Sequence, residues 1–378
     1  MGIYINIGNS GFQSALNGEY IDKSGLISVV NSTLFSERRF SCITRCRRFG
    51  KSLAAKMLCA YYDHSVDSRP LFADLEIAND PSFEKHLNKY PVIYLDLSAF
   101  TERFKNDNIV EKIKDRLRED ILEAYPQVKV KEDDDLMEVL LKVNAATAET
   151  FILIIDEWDA ICREFPPSSP AMDDYVGWMR RMFKDVNASR VFAGVYMTGI
   201  LPIKKYKTES ALNNFVEYSM VEPMDMGRFF GFTKDEVRML AEKYQVDFDE
   251  LEKWYDGYQI GDELSMFNPN SVMMALRAKR CGNYWWGTSS LHEFDDSISN
   301  NFDGIYDELY NLFNGSGYIL DARHYDKVKF GDVSSKDDII IMLICLGYLT
   351  YNKSLRECRI PNIEVLGRLS THVNSLLS

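Results

Sequence analysis

The chain has 378 residues, more than one ordinary domain of about 100–200 residues, so two or three modules and a substantial buried core are expected. Apolar residues make up 46% and charged residues 27%, which excludes a disordered tail, and a formal charge of −13 argues against unaided wrapping of nucleic acid or binding to anionic lipid. Against that overall sign, the stretch Arg38–Ser52 holds six basic side chains and no acidic one.

The N-terminus, Met1–Ile7, lacks the basic start and long apolar segment of a secretory signal. Residues 1–38 then read as a loop-rich lead-in containing Tyr20-Ile21-Asp22-Lys23-Ser24, followed by a short helical run through Val30. Phe40–Thr44 reads as a strand, and after a basic turn Ser52–Leu58 spaces its apolar residues as a helix does. Pro91 opens Val92–Leu97, whose near-continuous apolar content marks a buried strand. Helices are expected over about Asn108–Ala124 and Asp134–Ala146, with the charge run Lys129–Asp135 as a solvated loop. The apolar strand Phe151–Ile155 ends on Asp156 and Glu157; an irregular Pro166–Pro170 loop, a helix near Asp173–Val186, a strand Val191–Thr198 and a fifth strand Val216–Val221 follow. Strands alternating with helices imply a parallel sheet flanked by helices.

After Glu222 the texture becomes helical and aromatic. Thr233 and Glu236 form a capping box, Asp337–Leu346 reads as a helix, and Gly347–Tyr351 with Cys358–Pro361 reads as a β-hairpin, a winged-helix-like ending. The expected division is 1–224 for the α/β core with its lead-in, 225–335 for a mostly helical lid, and 336–378 for the winged-helix-like module. The last segment carries five basic and four acidic residues, a balance that favours packing over DNA reading. The seven cysteines form no Cys-x-x-Cys pair, which suits reduced thiols in the cytoplasm, and the longest apolar runs fall well short of the roughly 20 residues needed to span a bilayer.

The turn after the first strand, Arg45-Cys46-Arg47-Arg48-Phe49-Gly50-Lys51-Ser52, ends with three residue types that a phosphate-binding loop needs. Glycine lets backbone N–H groups approach phosphate oxygens, lysine reaches the terminal phosphates, and a hydroxyl at a helix start serves Mg²⁺. Arg45 stands where the general pattern has its first glycine. Downstream, Asp156 is suited to the Mg²⁺ shell and Glu157 to polarising water, both delivered to the C-terminal end of an apolar strand where open α/β sheets bind ligands. Thr198 closes the next strand, where a side chain can sense the γ-phosphate.

These motifs come with others in fixed order: Tyr20–Ser24, Ile154-Ile155-Asp156-Glu157-Trp158-Asp159, Thr198–Ile203, Phe230–Thr233, Trp254–Tyr258, Phe267-Asn268-Pro269 and Leu346–Tyr351. Together they resemble the bacterial AAA-ATPase-like family over nearly the whole chain. The resemblance implies a P-loop NTPase fold of the ASCE/AAA-like type, ATP and Mg²⁺ as cofactors, and an arginine at position 45 as the family's own variation, whereas Cys46 replaces a frequent family proline. Catalytic roles fall on Glu157, Lys51 and Thr198, nucleotide binding on Arg45, Cys46, Arg47, Arg48, Phe49, Gly50, Lys51, Ser52 and Leu53, and metal binding on Ser52 and Asp156. Many relatives continue into a PD-(D/E)xK nuclease-like domain; no strand pair with its acidic and Glu-x-Lys residues is found here, so nuclease activity is not expected of this chain.

Arg180 and Arg181 read either as phosphate-neutralising fingers or, more simply, as a solvated helix face. The resemblance implies that Tyr20, Asp22 and Lys23 border the adenosine, the alternative being strand-edge packing, and Trp158, Trp254-Tyr255 with Tyr258, and Tyr284-Trp285-Trp286 read as core or interface aromatics. The dispersed histidines His64, His86, His292, His324 and His372 indicate no metal site. The expected function is an Mg²⁺-dependent ATPase acting as a nucleotide-dependent switch or motor. Its alternative is a nucleotide-gated binding or scaffold protein with little turnover, associated with a nuclease or nucleic acid in trans. Nucleoside triphosphate is the expected ligand in either case, with a protein partner and an oligomer left open, no membrane, and long nucleic acid not the primary ligand.

Overall fold

The computed structural model describes residues 2–104, 108–166, 169–203, 212–261, 264–285, 295–320 and 333–377. Contacts divide the chain into two compact units. The first takes Met1–Ile43, Lys51–Gly199 and Tyr206–Glu217; the second takes Thr44–Gly50, Ile200–Lys205 and Tyr218–Ser378.

The first unit is organised by a five-stranded sheet of order β2-β3-β4-β1-β5. Its strands are β1 (Phe40–Thr44), β2 (Val92–Asp96), β3 (Phe151–Asp156), β4 (Phe192–Gly199) and β5 (Val216–Tyr218). Pairs β2/β3 and β3/β4 run parallel, with Asp96 opposite Asp156 in register. β1, β3 and β4 are buried along their whole lengths, the pattern of strands covered on both faces. Inserting β4 between β1 and β3 is the ASCE-type order, and the alternating strands and helices bear out the expected α/β class.

Helices fall where the apolar spacing puts them, at Lys51–Tyr62, Ile109–Ala124, Leu136–Thr147 and Pro170–Lys184. The lead-in differs from its reading: Ser10–Leu16 is a helix with one buried residue, Phe12, too weak a stripe to see in sequence. Its first residues form an edge cover. Tyr94 N–H donates to Tyr4 O at 2.8 Å and Asn6 N–H to Val92 O at 2.7 Å, so the lead-in pairs along β2 and closes that side of the sheet. The buried carboxylate of Asp120 anchors this run by accepting from the amides of Ile3, Tyr4 and Ile5 at 3.1, 2.7 and 2.8 Å. The Lys129–Asp135 loop is largely solvated, as expected, with Arg118 bracing the carbonyls of Lys131 and Asp134.

In the second unit, β6 (Tyr258–Ile260) and β7 (Leu264–Met266) form one hairpin, and β8 (Tyr318–Ile319), β9 (Thr350–Asn352) and β10 (Glu357–Arg359) form a sheet of order β8-β10-β9. The expected hairpin is thus present, with Cys358 opposite Tyr351, between helices Lys336–Leu346 and Ile363–Leu377. The Thr233/Glu236 capping box is formed in both directions.

Gly257 is a backbone necessity in this unit. Its φ is +97°, and an added Cβ would sit 2.1 Å from the carbonyl oxygen of Pro361. Gly257→Ala is expected to cost about 2–4 kcal/mol through left-handed strain and overpacking, read as a lower urea midpoint at unchanged m-value.

Candidate nucleotide site

The end of β1 leads into the loop 45–50 and then the helix Lys51–Tyr62. Two left-handed residues, Arg48 (φ +67°) and Gly50 (φ +88°), curl this loop. A Cβ built on Gly50 meets nothing within 4 Å, so the glycine serves its conformation and leaves open space beside the backbone. Such alternation bends N–H groups toward a common centre, the geometry that binds anions.

The loop's side chains divide. Arg45 is buried, donates from one guanidinium nitrogen to Thr44 O and Tyr218 O at 2.8 Å each, and lies 5.5 Å from the Phe230 ring centre. Cys46 is buried against Gly347, and Phe49 is buried edge-on to Tyr258 at 4.9 Å while its carbonyl accepts from Gly231 N at 3.2 Å. These three residues, expected to line the nucleotide, turn their side chains into the second unit's core. Arg48 is exposed and Arg47 half-buried. Arg39, another member of the basic stretch, is spent on the carbonyls of Ser36, Ser189, Phe192 and Phe35. The cation cluster seen in sequence is therefore partly an anchoring device.

In the first unit, Asp156, Thr198 and Ser52 come together. Asp156 is buried; Oδ1 accepts from the Thr198 hydroxyl, Oδ2 lies 3.3 Å from the Tyr94 hydroxyl, and the Ser52 hydroxyl also bonds the carboxylate. Burial pushes the Asp156 pKa above the ordinary carboxylate range, the hydroxyls of Thr198 and Ser52 pull it back, and the charges of Asp96 and Glu157 add to the upward shift. A buried carboxylate so placed supplies, with the Ser52 hydroxyl, the hard oxygen donors magnesium prefers. The residues present thus fit the ion. Lys51 is buried at the head of its helix, and Leu53, two residues further on, is half-buried.

Glu157 follows in a left-handed conformation, φ +54°, its amide 3.4 Å from Thr198 Oγ1. Its carboxylate pairs with Arg163, which also lies 3.4 Å from the buried Asp159 carboxylate. Trp158 is fully buried; its amide donates to Thr198 O at 2.8 Å, and a Cβ on Gly199 would meet its ring at 2.5 Å. These contacts join the ends of β3 and β4 rigidly.

Residues 7–208 match the predicted AAA-ATPase family. The chain belongs to that family. An Azotobacter chroococcum mcd 1 relative, described as an uncharacterized protein in the vnfD 5′ region, is 22% identical over 366 residues. The match takes in 93% of this AAA-ATPase-like chain, which spans 65% of the relative's length. Among solved structures, the Aeropyrum pernix ORC2 protein in its ADPNP–ADP complexes is similar at 12% identity and a TM-score of 0.36, covering 94% of this chain and 92% of that one. Cdc6p from Pyrobaculum aerophilum is similar at 12% identity and a TM-score of 0.34, covering 99% and 98%. The Aeropyrum pernix ORC1 protein in complex with DNA is similar at 11% identity and a TM-score of 0.33, covering 99% and 97%. These are distant likenesses; the fold rests on the sheet order and the family match.

Arg180 and Arg181 are exposed on the helix Pro170–Lys184, as a solvated face would be. Asp22 is committed to the amides of Ser24 and Glu76 at 2.8 and 2.7 Å, and Lys23 N–H donates to the Tyr20 hydroxyl at 3.2 Å, so the Tyr20–Lys23 motif is braced locally. Trp286, His292, His324 and Pro167-Ser168 lie outside the described residues. Among the described residues no group of three or more metal-ligating side chains of the His, Cys, Asp and Glu types is found, and no helix is long and apolar enough to cross a membrane. Two residues escaped sequence reasoning. Tyr94 has no motif around it, and Arg163 is legible only as position six after Glu157, a spacing that means nothing until the turn between them is known.

Proposed function

We propose that this AAA-ATPase-like chain binds ATP with Mg²⁺ and hydrolyses it as a nucleotide-dependent switch. The observation that carries the reading is the Asp156 carboxylate, buried at the end of β3 and bonded by Ser52 from the phosphate-loop helix and Thr198 from β4. In this reading the amides around Gly50 and the side chains of Lys51, Arg47 and Arg48 bind phosphates, with Arg45, Cys46, Phe49 and Leu53 contributing backbone. Ser52 and Asp156 hold magnesium, which when bound neutralises charge on the phosphates. Glu157 takes a proton from the attacking water as its oxygen bonds the γ-phosphorus and the bridging oxygen leaves with ADP. Thr198 orients that side of the site. Residues 225–335 act as a lid and 336–378 as a winged-helix-like module that respond to nucleotide.

The test is Mg²⁺-dependent phosphate release. Lys51→Ala is expected to lower turnover about 10²–10³-fold through lost phosphate contacts. Glu157→Gln is expected to lower it about 10²–10⁴-fold while nucleotide stays bound. Unchanged turnover in both variants refutes the reading.

The Arg163–Glu157 pair favours a second reading, a nucleotide-gated module with little turnover, because the base must leave its arginine before it can accept a proton. Calorimetric ATP binding without phosphate release under all partner conditions selects it. The −13 charge keeps long nucleic acid a secondary ligand, and a DNA-linked or nuclease-linked role in trans is tested by retention on DNA at ~50 mM salt. A cytoplasmic setting, a protein partner and an oligomer belong to the same proposal.

A further inference from the structure

We infer that Tyr94 is a positioning residue for the cation-binding carboxylate: its hydroxyl holds Asp156 Oδ2 so that the carboxylate is oriented for a divalent ion beside Ser52. This rests on the nucleotide reading above and adds a residue that no motif contains.

An aspartate with one bonded oxygen can still turn about its terminal torsion, which is broad and roughly two-fold. Here both oxygens are tied, Oδ1 by Thr198 from β4 and Oδ2 by Tyr94 from β2 at 3.3 Å. The two hydroxyls come from the strands on either side of β3, so the carboxylate plane is set by the sheet itself. Tyr94 reaches it because parallel register places Tyr94 beside Ile154 and Asp96 beside Asp156, with Tyr94 and Asp96 on the same face of β2. Its own backbone is held by the Tyr4 carbonyl at 2.8 Å.

Two alternatives to this role are closed. Asp96, the nearest other carboxylate on β2, is consumed as a helix cap, accepting from Ser98 N, Ala99 N and Ser98 Oγ at 3.0, 3.3 and 2.6 Å. Packing alone asks only for a ring at position 94, which phenylalanine would supply. Among the described residues Asp156 is the hydroxyl's hydrogen-bond partner, so the oxygen is explained by the carboxylate. Groups that orient a metal ligand in this way change metal affinity without touching the metal.

The experiment compares wild type, Tyr94→Phe, Tyr94→His and a control, Tyr61→Phe, whose hydroxyl donates to Phe83 O at 2.8 Å elsewhere in the first unit. Mn²⁺ affinity is read by electron paramagnetic resonance with a non-hydrolysable ATP analogue, and analogue affinity is read separately in EDTA. Tyr94→Phe is expected to weaken Mn²⁺ binding about 10-fold with EDTA affinity within about two-fold, as loss of an outer-shell partner does. Tyr94→His, which retains a ring donor, is expected to fall between, and Tyr61→Phe to alter neither. Melting curves establish that each variant is folded, and if Tyr94→Phe is not, the histidine variant carries the comparison. Wild-type Mn²⁺ affinity in the variant, or equal losses with and without metal, overturns the role of Tyr94 alone. A wild type that binds neither analogue nor Mn²⁺ overturns the nucleotide reading and this inference together.

Discussion

Arg45→Gly, which installs the glycine of the general phosphate-loop pattern, is expected to destabilise the protein by about 3–5 kcal/mol rather than improve the loop. The substitution deletes a buried side chain, strips a donor from the carbonyls of Thr44 and Tyr218, and removes a cation from the Phe230 ring. Each component has a separate signature. Arg45→Met refills most of the volume without the hydrogen bonds, so it is expected to recover about half of the loss, as cavity and unsatisfied-carbonyl costs are of similar size. Arg45→Lys keeps a charge and a donor but not the planar fork, and should lie closest to wild type. Denaturant melts at constant m-value measure all three. A glycine variant as stable as wild type shows that Arg45 anchors nothing.

That arginine also marks where sequence reasoning reaches its limit. The strands β1, β2, β3 and β4 were legible because buried strands are written in mostly apolar runs, and Gly50-Lys51-Ser52 with Asp156-Glu157 were legible because their spacing around strand ends is local. Direction of a side chain is not local. Whether Arg45 faces phosphate or core depends on a carbonyl at Tyr218 and a ring at Phe230, more than 170 residues away in the chain. The same holds for Asp120, whose hold on the first residues spans a separation of 115–117. In the proposed reading Arg47, Arg48 and Lys51 keep the phosphate-binding part of the basic stretch Arg38–Ser52, while Arg39 and Arg45 serve the backbone. An arginine that serves carbonyls and one that serves an anion look the same in a sequence.

Asp156→Asn is expected to separate stability from function in opposite directions. The Asp156 pKa is raised by burial, so between the unfolded and folded pKa values the native state binds more protons than the unfolded chain. Stability contributed by this group therefore falls as pH rises through that window, and above it the fold carries the cost of a buried charge. Asparagine keeps the shape and an oxygen for the Thr198 hydroxyl without that charge. The variant's melting temperature at pH 7 is expected to rise by about 2–4 °C, the effect of ~1 kcal/mol in a domain of this size. The gain shrinks toward acid pH, where the aspartate is protonated in both states and the two proteins converge. Mg²⁺-dependent turnover is expected to fall by at least about 10²-fold, and the stabilisation that Mg²⁺-ATP gives wild type should be largely lost, because binding stabilises only as far as the native state gains affinity. Melting curves from about pH 3 to 8, with and without Mg²⁺-ATP, read both effects in one experiment. A variant less stable than wild type at every pH would make Asp156 a structural hydrogen-bond acceptor, and undiminished stabilisation by Mg²⁺-ATP would remove it from the metal site.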